Sequence, residues 1–277
     1  MNFKSKELGF WEKAYECGTI ECVSYEAYSV FDVNSIIKKA YVYLPYGYDE
    51  SKKYNVLYLC HGLSGTSGKM FEATKLVNVL DNLIEKKIIE PLIVVTPTYD
   101  RNDSSDTSYN DSVSQLVPFC HEFENYLVPF IETKYSTYAL SGSKEDLINS
   151  RNHRAFGGFS LGGVLTWHIF QNCSLLVKNF LPVSCPSWSK YICGDPLVNA
   201  NDLLSRVWVN KNDFYIDWYI GSLDDVFYEE YVVQSEVFMN NDFFKNKLKC
   251  FVFEEIGHDF ELLFDALMFS LPNFFKE

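Results

Sequence analysis

A serine flanked by glycines stands near the middle of this 277-residue sequence. Residues 157–163 read Gly-Gly-Phe-Ser-Leu-Gly-Gly, so Gly158, Ser160 and Gly162 form a GxSxG pentapeptide. An apolar stretch precedes the pentapeptide and a helix-like stretch follows it, which is the strand-turn-helix context that exposes a nucleophilic serine. We therefore predict that Ser160 attacks an acyl carbon. The alternative is a glycine-rich turn that carries an inert serine.

A serine hydroxyl needs a base to accept its proton, and histidine is the usual one. Three of the five histidines lie within predicted helices or strands, away from the serine: His121, His153 and His168. Strand geometry places His153 roughly 23 Å from Ser160, and helix geometry places His168 roughly 12 Å away. His61 and His258 both follow predicted strands, but only His258 comes after the serine, as the chain order of such a triad requires. We predict His258 as the general base; a helix-capping histidine is the alternative.

The third member should be a carboxylate between the serine and the histidine that accepts a hydrogen bond from the imidazole. The predicted strand 214–220 is followed by Gly-Ser-Leu-Asp-Asp, so Asp224 and Asp225 are both candidates. We favour Asp224, although spacing alone barely separates two neighbours. Glu254 and Glu255 are weaker candidates because they would have to fold back onto the imidazole.

The negatively charged oxygen of a tetrahedral intermediate needs two N–H donors. One should be the backbone amide of Leu161, which follows the serine and begins a predicted helix. The other should come from the loop after the third predicted strand, where His61-Gly62-Leu63 stands. We assign the amide of Leu63, while an ordinary tight turn is the alternative reading of this loop.

Strand-like and helix-like segments alternate along the chain, which is typical of a mostly parallel sheet with helices on both faces. Eight strands are predicted, of which the first two are antiparallel and joined by a turn at 32–34: 20–30, 37–44, 56–60, 92–96, 154–159, 180–184, 214–220 and 249–253. Nothing in the sequence divides the chain, so we predict a single α/β domain over residues 1–277, with 1–18 as an N-terminal extension.

Helices are predicted over 71–86, over 116–131 with a kink at Pro129, directly after Ser160, and over 260–271. The segment 100–111 is polar throughout and is predicted as a surface loop near the strand ends. A second polar stretch covers 141–150.

The chain is acidic, with 24 Lys and Arg against 37 Asp and Glu, a formal net charge of −13. This charge repels nucleic acids and anionic membrane surfaces, so neither is expected as a partner, and a neutral small-molecule substrate suits this surface better. The first 18 residues lack a signal-peptide-like apolar run, and no stretch approaches transmembrane length. We expect a soluble protein, cytoplasmic for the chain as it stands and secreted if a leader has been removed; the oligomeric state stays open.

Eight cysteines are scattered without zinc-ligand spacing. We expect most of them to be buried thiols, although Cys17 and Cys22 could pair in an oxidising compartment. We expect neither a metal nor an organic cofactor, because the chemistry inferred above needs only side chains and water.

Five segments resemble, in the same order along the chain, the esterase D and feruloyl esterase group, carbohydrate esterase family one. The segments are VLYLCHGLSG at 56–65, LVPFIETKYSTY at 127–138, NHRAFGGFSLGG at 152–163, 221–224 and 257–259. The resemblance extends from about Gly18 onward. It implies an α/β-hydrolase fold of about eight mainly parallel strands and ester hydrolysis through an acyl-enzyme. Members typically release ferulate or related hydroxycinnamates from xylan side chains, and some remove acetyl groups.

Carried over residue by residue, the resemblance places the nucleophile on Ser160, the acid on Asp224 and the histidine on His258. It places the oxyanion amides on Leu63 and Leu161. A small-molecule esterase such as an S-formylglutathione hydrolase is a second possibility within the same fold. A non-catalytic, carbohydrate-binding relative is a third, because a fold alone does not guarantee activity.

Two departures from the family pattern border the expected pocket. Residues 184–188 read Ser-Cys-Pro-Ser-Trp where related gut-bacterial esterases have a Ser-Gly-Asp-x-Trp type segment. The aromatic residue that is common after the histidine is replaced by Asp259 and then Phe260. The acyl group is therefore left open. We expect Trp188, Tyr99 and His61 to contact the substrate, with core packing as the alternative for the two aromatic residues.

Overall fold

The strands form one central sheet in the computed structural model, which describes residues 4–28, 34–188, 195–206 and 213–276. Within these ranges the strands are β1 Thr19–Tyr28, β2 Ser35–Leu44, β3 Asn55–Cys60, β4 Leu92–Pro97, β5 Arg154–Phe159, β6 Asn179–Val183, β7 Tyr215–Gly221 and β8 Leu248–Phe253. Their order is β1-β2-β4-β3-β5-β6-β7-β8. The predicted mostly parallel sheet is confirmed: β1 and β2 pair antiparallel, β2 is antiparallel to β4, and the remaining pairs are parallel.

The helices of the described residues are α1 Lys69–Glu72, α2 Leu76–Glu85, α3 Tyr109–Glu122, α4 Val128–Lys134, α5 Lys144–Asn149, α6 Leu161–Cys173, α7 Pro196–Arg206, α8 Tyr228–Met239 and α9 Phe260–Ser270. A π-helical segment, Phe123–Leu127, joins α3 to α4, and short 3-10 turns occupy Arg151–His153 and Leu271–Asn273. Helix α6 contacts β3, β5 and β6, whereas α9 contacts β5, β6 and β7. Helices α5, α7 and α8 were not among the predicted elements.

The core lies on both faces of the sheet. It has two layers because successive side chains along a strand point to opposite faces. In β3, Tyr58 and Cys60 belong to the cluster that contains the apolar residues of α6, whereas Leu57 and Leu59 belong to the cluster that contains those of α9. Successive side chains of a strand point to opposite faces, so a strand that is apolar at every position supplies both layers.

Two predicted helices are interrupted in the structure. The segment 71–86 is not one helix but α1 and α2, separated at residues 73–75. The long helix predicted over 116–131 begins earlier, at Tyr109, and the π-helical segment interrupts it just before Pro129. Proline has no amide hydrogen to donate to Asn125, so the regular hydrogen-bond ladder is broken there, and a π-helical turn is a common way to absorb such a break.

The stretch before β1 packs against the last helix. The Ser5 amide donates to Asp265 at 2.6 Å, and Trp11 contacts Phe264 edge-on at 5.6 Å between ring centroids. Cys17 and Cys22 are both free thiols. Some predicted features lie outside the described residues: most of the turn at 32–34, the end of the first predicted strand at 29–30, and Cys193.

Candidate active site

Ser160 occupies a sharp turn between β5 and α6. Its backbone has φ 57° and ψ −119°, a conformation that a residue other than glycine adopts only when the surrounding structure enforces it. The enforcement is close packing: a Cβ on Gly158 would lie 2.4 Å from the Gly162 backbone, and one on Gly162 would lie 2.2 Å from the Cys60 carbonyl oxygen. The glycines of the pentapeptide are therefore needed because backbone segments touch at these positions.

The three residues predicted as a triad are brought together by hydrogen bonds. The Ser160 hydroxyl lies 3.0 Å from His258 Nε2, and His258 Nδ1 lies 2.9 Å from Asp224 Oδ2. The imidazole is one-fifth exposed, whereas the carboxylate is fully buried. With Nδ1–H donating to the carboxylate, the lone pair on Nε2 faces the serine hydroxyl, as general-base chemistry requires.

Two loops at the carboxyl ends of neighbouring strands hold the acid and the histidine. Asp224 follows β7, and its other oxygen, Oδ1, accepts from the amides of Val226 at 3.1 Å and Phe227 at 3.0 Å. His258 follows β8, and the next residue caps α9 through its side chain. A Cβ on Gly221 would lie 2.1 Å from the Ile256 carbonyl oxygen, so the two loops are in direct contact.

The carboxyl of Asp224 stays ionised because its partners outweigh its burial. Burial alone would raise its pKa, but the hydrogen bonds from His258 and from the Phe227 amide hold the pKa below the usual value. A carboxylate in this state can stabilise an imidazolium. The rival candidates Asp225, Glu254 and Glu255 are exposed.

The two residues predicted to supply the oxyanion amides line the same cavity as Ser160. Leu161 is the first residue of α6, where backbone N–H groups have no partner within the helix. The loop that carries Leu63 lies against Ser160, because a Cβ on Gly62 would be 3.0 Å from Ser160 Cβ. Gly62, Leu63, Ser160 and Leu161 all line one cavity.

This cavity of about 500 Å³ opens beside the serine and has a mainly apolar wall. Its lining side chains come from the loop after β3, from α1, from the start of α3, and from the loops that carry the acid and the histidine. They include Leu63, Lys69, Met70, Ala73, Thr74, Tyr109, Phe159, Val226, Phe227 and Phe260. Phe159 and Phe260 stack at 4.6 Å between ring centroids and form an aromatic surface next to His258. The cavity can therefore take a flat apolar group whose carbonyl carbon reaches Ser160 Oγ.

Of the three residues predicted to contact the substrate, His61 lines the cavity described above, whereas Trp188 and Tyr99 do not. Trp188 is 5% exposed and does not line the described cavity; its ring packs edge-on behind Tyr109 and Phe227. Tyr99 is also buried away from the cavity wall. His61 does line the cavity, but both of its ring nitrogens are hydrogen-bonded within the protein.

Phe260, which the sequence places at the border of the expected pocket, forms part of an aromatic wall with Tyr109 and Phe227. Sequence reasoning missed Tyr109 and Phe227. Tyr109 lies in the polar segment 100–111, and Phe227 lies in the loop that carries Asp224. Proximity in sequence to these features was the available signal.

Comparison with known proteins places these features in a family. Residues 37–173 match the model of the Esterase family, described as "Putative esterase". A solved structure of the feruloyl esterase module from Clostridium thermocellum, a serine-to-alanine mutant complexed with sinapinate, is 31% identical; the match covers 97% of this chain and 92% of that chain, with a TM-score of 0.79. This chain belongs to the esterase D and feruloyl esterase group.

Two further relatives of this esterase chain extend the comparison. Endo-1,4-beta-xylanase Y of Acetivibrio thermocellus is 36% identical over 248 residues, which are 87% of this chain. The match spans about a fifth, 22%, of that longer protein. A ferulic acid esterase of carbohydrate esterase family one from Anaeromyces mucronatus, in complex with ferulic acid, shares the fold at 21% identity, with a TM-score of 0.74 and coverage of 96% and 95% of the two chains.

The family assignment confirms the predicted α/β-hydrolase fold and the predicted class of enzyme, a serine hydrolase of the esterase type. Among the described residues of this esterase, no group of three or more His, Cys, Asp or Glu side chains is arranged to hold a metal ion. No helix in the same ranges combines the length and the apolar character needed to span a bilayer.

Proposed function

We propose that this esterase hydrolyses hydroxycinnamoyl esters, such as feruloyl groups, carried by plant cell-wall polysaccharide of the xylan type, through an acyl-enzyme on Ser160. The observation that carries the proposal is the hydrogen-bonded series Ser160–His258–Asp224 at the mouth of an apolar, aromatic-walled cavity. The sinapinate and ferulic acid complexes of the related esterases support the choice of acyl group.

The first half of the reaction transfers the acyl group to the enzyme. Ser160 Oγ attacks the ester carbonyl carbon while its proton moves to His258 Nε2, and the buried Asp224 carboxylate stabilises the resulting imidazolium. The carbonyl oxygen becomes negatively charged and accepts hydrogen bonds from the amides of Leu63 and Leu161. When the intermediate collapses, the carbon–oxygen bond to the sugar breaks, and the leaving sugar oxygen takes the proton from His258 and becomes a hydroxyl.

The second half releases the acid. Water enters in place of the sugar and gives a proton to His258 Nε2 as its oxygen attacks the acyl carbon. The same two amides bind the oxyanion again. The bond to Ser160 Oγ then breaks, the serine regains its proton, and the hydroxycinnamate leaves the cavity.

The cavity chemistry supports an aromatic acyl group. Its volume of about 500 Å³ falls in the range of about 300–1,000 Å³ that small-molecule sites occupy. The wall beside the serine is made of Phe159, Phe227 and Phe260, which can pack against a phenyl ring. An acetyl group would leave most of this surface uncovered. The net charge of −13 is compatible with a neutral sugar chain at the cavity mouth.

A substrate panel tests the proposal. Methyl ferulate, feruloylated xylan oligosaccharide, acetylated xylan and S-formylglutathione would be incubated with native enzyme, Ser160→Ala and the exposed-serine control Ser205→Ala, and released acids would be quantified by mass spectrometry. We expect ferulate release by the native and Ser205→Ala proteins and none by Ser160→Ala. Preferential turnover of S-formylglutathione would contradict the substrate assignment. Equal turnover by Ser160→Ala, or sugar binding without turnover of any ester, would contradict the mechanism.

A further inference from the structure

One backbone carbonyl beside the nucleophile accepts three hydrogen bonds. The Gly62 carbonyl oxygen lies 2.8 Å from His61 Nδ1, 3.1 Å from the Tyr99 hydroxyl and 3.1 Å from the Gly65 amide nitrogen. His61 and Tyr99 are 2% and 3% exposed, and their rings lie 4.7 Å apart between centroids. Three donors on one buried carbonyl oxygen fix its direction much more tightly than a single hydrogen bond would.

The direction of the Gly62 carbonyl also sets the direction of the Leu63 N–H. The Gly62 oxygen and the Leu63 N–H belong to the same peptide unit, which is planar and trans, so the two groups point in opposite directions. Because His61, Tyr99 and Gly65 hold the oxygen end, the N–H end is held as well. The loop lies against Ser160 and Leu63 lines the cavity, so the fixed N–H belongs to the site.

One of these donors, His61, stands at the end of a directed series of hydrogen bonds. The Asp100 amide donates to Thr98 Oγ1 at 3.0 Å, and Thr98 Oγ1 lies 2.9 Å from His61 Nε2. A carbonyl can only accept, so His61 Nδ1 carries the hydrogen that reaches Gly62, and Nε2 accepts from Thr98. Burial lowers the pKa of His61, which favours this neutral form, and raises the pKa of Tyr99, which keeps its hydroxyl protonated. Hydrogen bonds in series polarise one another, and donation into a carbonyl strengthens the N–H of the same peptide as a donor.

The outer end of the series is anchored in the core. Thr98 is fully buried, and its carbonyl oxygen accepts from Lys38 Nζ at 2.8 Å. Lys38 also pairs with Glu122 at 3.0 Å, and Glu122 accepts from the Tyr25 hydroxyl at 2.5 Å. Strands β1 and β2, helix α3 and the segment after β4 thus meet at this point. Buried charged groups that are fully paired in this way resist displacement.

We propose that Tyr99 and His61, supported by Thr98, are positioning residues that aim and polarise the Leu63 amide as an oxyanion donor. The inference rests on the proposed function, because it assigns a task in the same ester hydrolysis. It replaces direct substrate contact as the role of Tyr99 and His61. The segment after β4, residues 98–100, then acts as a rigid template for the loop after β3.

The decisive variant is Tyr99→Phe, which removes one hydroxyl and keeps the ring. Tyr231→Phe is the matched control, since Tyr231 is equally buried and also donates to backbone carbonyls, those of Trp218 and Phe251, both at 3.2 Å. Thr98→Val, which breaks the series at the next step, is a second variant. For each protein, kcat and KM would be measured with methyl ferulate and with 4-nitrophenyl acetate. The inhibition constant of an aryl trifluoromethyl ketone, whose serine adduct carries an oxyanion, and the melting temperature would also be measured.

We expect Tyr99→Phe to lower kcat by about 10-fold, less than the roughly 100- to 1,000-fold that loss of a whole oxyanion donor costs. KM should change by less than about two-fold, and trifluoromethyl ketone binding should weaken by about the same factor as kcat, because only interactions with the charged oxygen are altered. Thr98→Val should act in the same direction, and Tyr231→Phe should leave all three constants unchanged.

Two results separate this inference from the proposed function. Native protein that turns over neither ester and binds no trifluoromethyl ketone would overturn both. Active native enzyme with unchanged kcat and inhibitor binding in Tyr99→Phe would overturn the positioning role alone. Equal losses in Tyr99→Phe and Tyr231→Phe that follow the melting temperature would likewise overturn it, since they would indicate a general effect of stability.

Discussion

Replacing Asp224 by asparagine should reverse the proton arrangement of the proposed triad while preserving its shape. Asp224 Oδ1 accepts from two backbone amides, those of Val226 and Phe227, and Oδ2 faces His258 Nδ1 at 2.9 Å. Asparagine has one acceptor oxygen, and the two amides require it at the Oδ1 position. Its NH2 group would then face His258 and donate to Nδ1. The ring proton would be forced onto Nε2, where an N–H rather than a lone pair would point at Ser160.

The size of the effect follows from this loss of the base. Comparable substitutions in serine-protease triads lower kcat by about 10⁴-fold, which corresponds to about 5 kcal/mol of transition-state stabilisation. We expect a similar loss for methyl ferulate hydrolysis, followed by ultraviolet absorbance. KM should stay nearly constant, because Asp224 is buried and does not line the described cavity beside the serine.

The neighbouring carboxylate provides the control. Asp225 is exposed, so Asp225→Asn should retain kcat within about two-fold, as is usual for surface substitutions. Retention of more than a tenth of native kcat by Asp224→Asn would refute the reasoning. So would a large loss in Asp225→Asn, which would move the acid to the adjacent residue.

Three further predictions test the cavity, the loop and the core. Phe260→Ala removes half of the aromatic pair at 4.6 Å; KM for methyl ferulate should rise by about 10-fold, equivalent to an aromatic contact of about 1–1.5 kcal/mol, while KM for a small aliphatic acetate ester should not change. Gly62→Ala places a Cβ 3.0 Å from Ser160 Cβ and 3.2 Å from the Phe159 carbonyl oxygen; displacement of the oxyanion loop should lower kcat by about 10- to 1,000-fold with little change in melting temperature, and native kcat would contradict it. Burial lowers the pKa of His168 to about 4. Since the unfolded chain takes up this proton first, near pH 6.5, the free energy of unfolding should fall by up to about 3 kcal/mol as the pH drops from 6.5 to 4. In His168→Gln, urea unfolding at several pH values should show a shallower decline, and an identical decline would contradict the assignment.

The strands and the three residues of the proposed triad could be picked out in the sequence because their signals are local. β5 was predicted with its observed bounds, since its six residues form a buried run that ends at the glycine-flanked serine. Asp224 and His258 could be proposed because each follows a predicted strand, and the carboxyl ends of parallel strands meet at one edge of the sheet. The form of the interruption in the long helix was harder to predict from the sequence. Pro129 indicated where it would occur, but whether the break becomes a kink or a π-helical segment depends on tertiary packing.

The lining of the cavity could not be read from the sequence, and Tyr99 and Tyr109 explain why. Both are aromatic, Tyr99 just before the segment 100–111 and Tyr109 inside it, and both could have faced either the core or the substrate. Tyr99 is the second residue after β4 and turns inward to the Gly62 carbonyl, whereas Tyr109 begins α3 and lies 45% exposed at the cavity wall. Which of the two meets the substrate depends on how the loop between them returns to the sheet. That path is a tertiary property, fixed in part by the Ser67 amide donating to Asp103 at 2.8 Å across 36 residues. In an esterase of this fold the reaction is therefore encoded by short motifs at strand ends, whereas the choice of acyl group is encoded by contacts between segments far apart in the chain.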